Sequence, residues 1–202
     1  MTQITAIKET KRGRFALFGP EGFLFSVDDE TLALNDLRTG DNLSDERLLS
    51  LREQSDLNAA RETALRYLAH RAHGEAELVE KLCRRYDDET ARAVAARLRD
   101  AGLLDDAAFA QSKAESLASR GKSRQDIRMR LLALGIGRPQ ADMAVAALDF
   151  DEAEAALALI RKQYAHKLQA GERQKVMAAL SRRGFAHGTI VKAMDAAGEG
   201  EP

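Results

Sequence analysis

The sequence predicts a mainly α protein: an elongated array of three tandem three-helix modules, led by a small N-terminal β-containing extension. Three observations carry this. The composition favours helices, being rich in Ala, Leu, Arg, Glu and Asp with no Trp and only three Pro. Strand chemistry is confined to the first ~27 residues. A ten-residue apolar template then recurs at constant spacing through the remainder.

The extension comes first. "ITAIKE", "RFALFG" and "FLFSV" are short and rich in β-branched or aromatic residues, and "PEG" (Pro20 to Gly22) supplies turn chemistry between the last two. A small antiparallel sheet is expected. "DDETLALNDL" reads as a short helix capped by Asp28 or Asp29, and "RTGDNLSD" as a loop. Ser44 caps a linker helix expected to run to about Gln54, and Asp56 or Asn58 caps the next one. The extension and linker thus occupy residues 1–57.

From residue 58 the pattern is helical and repeats. In "ELVEKLCRRY", "DIRMRLLALG" and "KVMAALSRRG", Leu78, Ile127 and Val176 lie 49 residues apart. Leu82, Leu131 and Leu180 keep the same spacing, as do Tyr86, Gly135 and Gly184. Upstream, Leu68 and Leu117 share the offset; downstream, "ETARAVAARL" and "PQADMAVAAL" match at an offset of 50, with Ile190 and Met194 continuing the pattern more loosely. Three modules are expected, at residues 58–102, 105–148 and 151–197, each burying its apolar face on a neighbour. Gly135 and Gly184 sit where a helix ends in left-handed conformation. Ser123 and Asp105 or Asp106 are expected as N-caps, and Pro139 lies in a first turn, where its missing N–H costs nothing.

The net charge of −1 conceals an asymmetry. Residues 1–57 carry −4 and residues 58–202 carry +3, with +5 in 113–138 and +7 in 161–192. An acidic partner feels such local excess within a Debye length, about 8–10 Å. In "SRQDIRMRLLALGI", Ile127, Leu131 and Leu134 form one stripe; Arg124 and Arg128 lie along one edge and Arg130 along the other. In the third copy Arg173 takes the place of Arg124, and Lys175, Arg182 and Arg183 add charge. In the first copy Glu75 stands there, and Arg71, Lys81, Arg84 and Arg85 supply the charge. Arg120 and Lys122 precede the second template. For any one Arg, a solvated face with its stem over apolar surface is the plainer account. For the clusters together a binding surface is favoured, because neutralising acidic residues are scarce nearby in sequence.

No pattern indicates catalysis or a cofactor. Glycine-rich phosphate loops and His-Glu-x-x-His are absent. "SRGK" matches Ser-x-x-Lys, but its companion motifs Ser-Asp-Asn and Lys-Thr-Gly are missing. His70 and His73 stand three apart with nothing nearby to complete a metal site. Asp28–Asp29, Asp87–Asp88 and Asp105–Asp106 all fall at helix starts, where carboxylates meet free N–H groups. A single cysteine, Cys83, suits a reducing compartment. No apolar run approaches the ~20 residues of a membrane span, and "MTQITAIKET" lacks a signal-peptide layout. A cytoplasmic monomer without metal or cofactor is expected.

The succession "ALRYLAHRAHGEAELVEKL", "LDDAAFA", the basic "SRGKSRQDI" with "LLALGI", and "ERQKVMAALSRRGF" resembles the RecX family of recombinase regulators over about residues 60–195. "GPEGFLFSVDDETL" is similar to the short β-containing extension of some members. The chain departs from the family at Gly74, where Ser is usual, and at Ala108, where a basic residue often precedes the aromatic. The resemblance implies three-helix modules in a curved array and no enzymatic activity. It implies binding along the groove of the RecA–DNA filament, restraining ATP hydrolysis, strand exchange and co-protease activity in DNA repair and the SOS response. The basic edges would then face acidic protein surface or phosphate, both of which suit the planar guanidinium fork.

Two other classes compete. A free-standing nucleic-acid-binding module would use single- or double-stranded DNA without RecA and lose affinity steeply with salt. The aromatics Phe109, Phe150 and Phe185 occupy apolar positions rather than alternating with basic residues, which disfavours base reading. A plain helical scaffold would bind neither. Because no repeat position lies within residues 1–27, deleting them is expected to leave the helical array folded. Far-ultraviolet circular dichroism of the truncated chain checks this, and loss of most helical signal would make the extension part of the core.

Overall fold

The computed structural model describes residues 1–11 and 13–198. Strand-forming residues at the start pair as their alternation requires. β1 (Thr2–Gln3) is followed by a meander of β2 (Ala6–Glu9), β3 (Phe15–Gly19) and β4 (Gly22–Val27), all antiparallel. Ile7, Leu17 and Phe25 share one row and Phe15 and Val27 another, so one face of the sheet is apolar. That face packs with Leu37 and Leu51. Part of the expected 38–45 loop is instead β5 (Asn42–Leu43), paired with β1. Ile4 is fully buried, and its main chain must find partners there: its N–H donates to Asp41 O at 2.8 Å and its carbonyl accepts from Gly40 N at 2.8 Å.

Helix α1 (Asp29–Leu34) is capped by Asp28, whose carboxylate accepts from Thr31 N. Helix α2 runs unbroken from Asp45 to His70 with Ser44 as N-cap. The break expected between Gln54 and Asn58 does not occur, and the expected boundary at residue 57 falls inside this helix. The supposed capping residues are used otherwise. Ser55 is fully buried, and its hydroxyl accepts from Arg14 Nη2 and from Asp28 N, both at 3.0 Å. Asn58 donates to Asp28 Oδ1 at 3.2 Å. With no Gly or Pro to interrupt it, the helix continues. Its first half therefore completes the sheet's core, while Ala60 and Ala64 in its second half join the next one.

The following helices are α3 (Glu75–Leu82), α4 (Asp88–Asp100), α5 (Asp106–Ala118), α6 (Arg124–Ala133), α7 (Arg138–Ala146) and α8 (Glu152–Gln163). The short α9 (Ala165–Gln169), α10 (Arg173–Arg182) and α11 (His187–Gly198) complete the described chain. The third segment thus carries one more helical turn than three helices, inserted after Tyr164. The backbone forms two compact units, one spanning Met1–Leu104 and the other beginning at Asp105. The first unit holds the sheet core and a core built from α2, α3 and α4. The second holds a core from α5 to α7 and another from α8, α10 and α11.

Local chemistry explains the helix ends. Asp87, Asp105, Ser123 and Asp151 each accept a first-turn N–H. Gly74 begins α3 with extended backbone (φ −74°) and no side-chain bond, so this cap is the weaker one that glycine gives. Gly135 and Gly184 adopt φ of 82° and 83°. The next N–H turns back in each case, Ile136 N to Leu131 O at 3.1 Å and Phe185 N to Leu180 O at 3.3 Å.

The template positions are the cores' deepest points. Leu78, Leu82, Ile127, Leu131, Val176 and Leu180 are all 0% exposed. Replacing Leu82, Leu131 or Leu180 by Ala is expected to destabilise by ~2–5 kcal/mol, from lost transfer energy plus a residual cavity. Urea or thermal unfolding of each variant measures this, and a near-wild-type result at any position would show that the surrounding helices collapse onto the site.

Candidate functional site

The basic candidates fall into four physical situations. Arg124 is the most committed to the fold. Its Nη1 donates to Val145 O at 2.7 Å, its Nη2 donates to Leu148 O at 3.0 Å, and its guanidinium lies 4.9 Å from the Phe150 ring centre. It therefore adds hydrogen bonds to carbonyls at and just beyond the C-terminus of α7. Its own N–H donates to Glu152 Oε1 at 2.8 Å. The side chain turns inward to carbonyls of its own chain.

A second group is held in ion pairs at half-buried or exposed positions. Arg128 Nη2 donates to Asp142 Oδ2 at 3.1 Å, Arg130 Nε to Asp126 Oδ1 at 2.9 Å, and Lys122 lies 3.7 Å from Asp126. Arg173 pairs with Asp195 at 2.7 Å, Lys175 with Glu172 at 2.6 Å and Arg84 with Glu80 at 3.3 Å. The expectation that neutralising carboxylates are scarce is thus corrected. Asp142 and Asp195 come from other helices, 14 and 22 residues away in sequence, and a local charge count does not see them. Pairs of this kind, in reach of water, contribute about 0–1 kcal/mol each.

Arg183 forms a third case. It donates to Tyr164 Oη and, at 3.0 Å, to Gln163 Oε1, and its guanidinium stacks 5.3 Å from the Tyr164 ring centre. The fourth case is the unpaired set. Arg120 and Arg182 are exposed, and their side chains have no hydrogen bond or ion pair among the described residues. Lys113, Arg138, Arg161, Lys162 and Lys192 are in the same state, although the template did not single them out. Their only trace in the sequence is the local charge excess. Arg161 and Arg173 also line a 500 Å³ cleft whose apolar wall includes Ile160, Leu168 and Met194.

On the first segment the candidates converge on one buried histidine. His73 is 4% exposed; Lys81 Nζ donates to its Nε2 at 2.7 Å. Nδ1 therefore carries the proton and donates to Arg71 O at 2.9 Å, which makes the ring neutral. Glu77 joins the cluster, accepting from Arg71 Nη1 at 3.1 Å and lying 3.4 Å from Lys81. Lys81 also sits 5.3 Å from the Tyr67 ring centre. Burial lowers the His73 pKa, and the Arg71 and Lys81 charges lower it further, against the Arg71 carbonyl and Glu77. The Arg71 hydrogen bond pulls Glu77 below the usual carboxylate range. His70 takes no part in this cluster, and no group of three metal-ligating side chains occurs among the described residues. No helix among those residues is long and apolar enough to cross a membrane.

Comparison with known proteins places this geometry in a family. The models of the first, second and third three-helix domains of RecX match residues 60–98, 105–145 and 151–194. The chain belongs to the RecX family. It is 28% identical over 201 residues to a regulatory protein RecX of Clostridioides difficile, covering 95% of this chain and 94% of that one. It is 30% identical over 203 residues to the Bacillus velezensis protein of the same description, covering 96% and 77%. A crystal structure of a regulatory protein RecX superposes with a TM-score of 0.74 at 24% identity, covering 96% of this chain and all (100%) of the other. RecX from Lactobacillus salivarius gives 0.62 at 22% identity, covering 70% and 96%. Both structural likenesses bear on the fold, which is three tandem helical domains behind short N-terminal strands.

The histidine cluster makes a pH prediction. Because the folded state lowers the His73 pKa, the unfolded chain binds the extra proton more readily. This stabilising contribution is complete above the unfolded value of about 6.5 and is lost as pH falls through the folded value. The Glu77 contribution has the same sign but fades only in the acid range below the ordinary carboxylate value. The urea midpoint of the first unit should therefore fall between pH 7.5 and 5.5, and His73→Gln should flatten that change. An equal slope in the variant would place the pH dependence elsewhere.

Proposed function

We propose that this chain is a non-enzymatic regulator that binds the RecA–DNA filament, as a monomer in the cytoplasm, and restrains its ATPase, strand-exchange and co-protease activities. Modules at 58–102, 105–148 and 151–197 would act as successive contact units. Family membership supports the partner. The observation that carries the choice of surface is the set of exposed cations on the second and third modules that have no partner among the described residues, Arg120 and Arg182 foremost. Lys122, Arg128, Arg130, Arg173 and Lys175 supplement them, since their carboxylate partners, half-buried or exposed, remain in reach of water and hold them weakly. A cationic surface of this kind meets either acidic protein or DNA phosphate. A free-standing DNA-binding module is the second reading, favoured by the same unpaired cations; it would need no RecA and would weaken more steeply with salt.

The test uses RecA ATPase on single-stranded DNA with titrated protein. Arg120→Glu with Arg182→Glu should leave helical content unchanged and raise the concentration needed for half-inhibition, with Ala at both positions giving a smaller shift in the same direction. Raising salt should weaken the wild type more than the double Glu variant. Arg124→Glu is not a clean probe, because it removes carbonyl contacts within the chain. Inhibition by the double variant equal to wild type would move the partner surface to Arg71, Lys81 and Arg84, and absence of any effect of the wild type on RecA would discard the partner itself.

A further inference from the structure

The sheet has a second face, on which Ala16 is buried, Ala6, Phe18 and Ser26 are half-buried, and Lys8 and Phe23 are exposed. Alternation puts Ile7, Leu17 and Phe25 inward, so Lys8, Ala16 and Ser26 form one outward row and Ala6 and Phe18 belong to the next. Simple alternation from Phe25 would send Phe23 inward as well. It does not, because the register shifts by one residue at Leu17/Phe18, and Phe23 comes opposite Phe18 instead. A bulge that re-aims a side chain in this way is a built feature of a sheet. Its result here is a phenylalanine 61% exposed, held edge-on to Phe18 with ring centres 5.9 Å apart at 70°. Lys8 Nζ stands 5.2 Å from the Phe18 centre on the same face.

Charge is also divided across this region. Residues 1–27 carry +2, while residues 28–57 carry −6. The acidic residues lie on α1, α2 and their connections, and the sheet segment is the basic part of an otherwise acidic extension. An exposed ring fixed by a second ring, with a lysine over that second ring and a positive local charge, matches the two requirements of single-stranded nucleic-acid binding. The ring supplies a stacking face for an unpaired base, and the cation attracts the adjacent phosphate. Duplex DNA satisfies only the second requirement, since its bases already stack on each other.

We infer that the outer face of β2–β3–β4 is a single-stranded nucleic-acid contact, with Phe23 as the base platform and Lys8 as the phosphate partner. This contact uses none of the cations proposed for filament binding and does not depend on them.

The chain has no tryptophan, so Phe23→Trp creates a single reporter at the site. With the full-length protein and no RecA, labelled oligothymidylate should bind wild type and Phe23→Trp alike by fluorescence anisotropy. The Trp emission should be quenched on saturation by the oligonucleotide, and far less by a duplex of equal length. Phe23→Ala should weaken oligothymidylate binding roughly 5- to 150-fold, as expected for losing one stacked base. Its circular dichroism and melting should stay those of wild type, because the ring lies outside the core. Lys8→Ala should reduce both affinity and its salt dependence. Undiminished binding by Phe23→Ala, unquenched emission in saturated Phe23→Trp, or no oligothymidylate binding by wild type would each overturn the inference. If Phe23→Ala instead keeps oligothymidylate binding and loses RecA inhibition, the face is a protein-contact surface and the assignment is wrong. The readouts without RecA keep this result distinct from that of the Arg120 and Arg182 variants.

Discussion

Each helical core depends on one pair of apolar residues four apart, fully buried and immediately followed by the end of its helix. Leu78 with Leu82, Ile127 with Leu131, and Val176 with Leu180 hold this position. A pair at that spacing fixes which helix face turns inward. In the second and third copies the left-handed glycine then reverses the chain, so that Ile136 and Phe185, 3% and 4% exposed, fold back toward the pair. The next helix can start within a few residues because the turn is already buried on its apolar side. The first copy reaches the same end differently. Tyr86 replaces glycine, its N–H bonding Leu82 O at 3.0 Å and its hydroxyl reaching Thr63 Oγ1 at 3.1 Å on α2. The tyrosine thus ties α3 to the long helix that the other copies lack.

In the second unit, a single hydroxyl joins two copies of the template. Ser123 is fully buried, accepts from Asp126 N at 3.1 Å to cap α6, and donates to Arg183 O at 2.8 Å at the end of α10. The N-terminus of one helix and the C-terminus of another, opposite in partial charge, therefore meet through one side chain. Space there is tight. A Cβ on Gly184 would stand 2.8 Å from Ser123 Oγ. Glycine at this template position answers two demands at once: a left-handed backbone, and room for the neighbouring cap. Glu152 reinforces the same end of α6 by accepting from Arg124 N, while Thr189 approaches its other oxygen at 3.5 Å.

These particulars mark what the sequence could disclose. The 49-residue spacing, the glycine ends and the Asp and Ser caps were legible because each is decided within one or two turns of chain. The continuity of α2 was not. Ser55 and Asn58 have capping chemistry, and only the distant Arg14, Asp28 and Thr31 reveal that it is used for tertiary contacts. Phe23 is a similar case, since alternation alone sends it inward and only the paired register turns it out. The basic candidates were legible as residues and not as states. Arg124, Arg128 and Arg120 look alike in the sequence, yet one is bound to carbonyls, one to a carboxylate and one to nothing among the described residues.

That difference of state bears on which cations a partner can use, and pairing alone does not decide it. Removing Arg128 from Asp142 leaves a carboxylate that is 47% exposed and readily hydrated, so an incoming carboxylate or phosphate could compete for the Nη groups, while the Arg128 Nε stays buried. Moving Arg124 would strip hydrogen bonds from Val145 and Leu148 carbonyls at a packed helix end, where water is a poorer replacement and the penalty is of order 1–3 kcal/mol per group. The exchangeable set is therefore Arg120 and Arg182 first, then Lys122, Arg128, Arg130, Arg173 and Lys175. Arg124 and, through its Tyr164 stack and Gln163 bond, Arg183 belong to the framework that holds the others in place. A cationic surface built this way would keep its fold when a partner dissociates, because the charges proposed for binding are not the charges that close its helix ends.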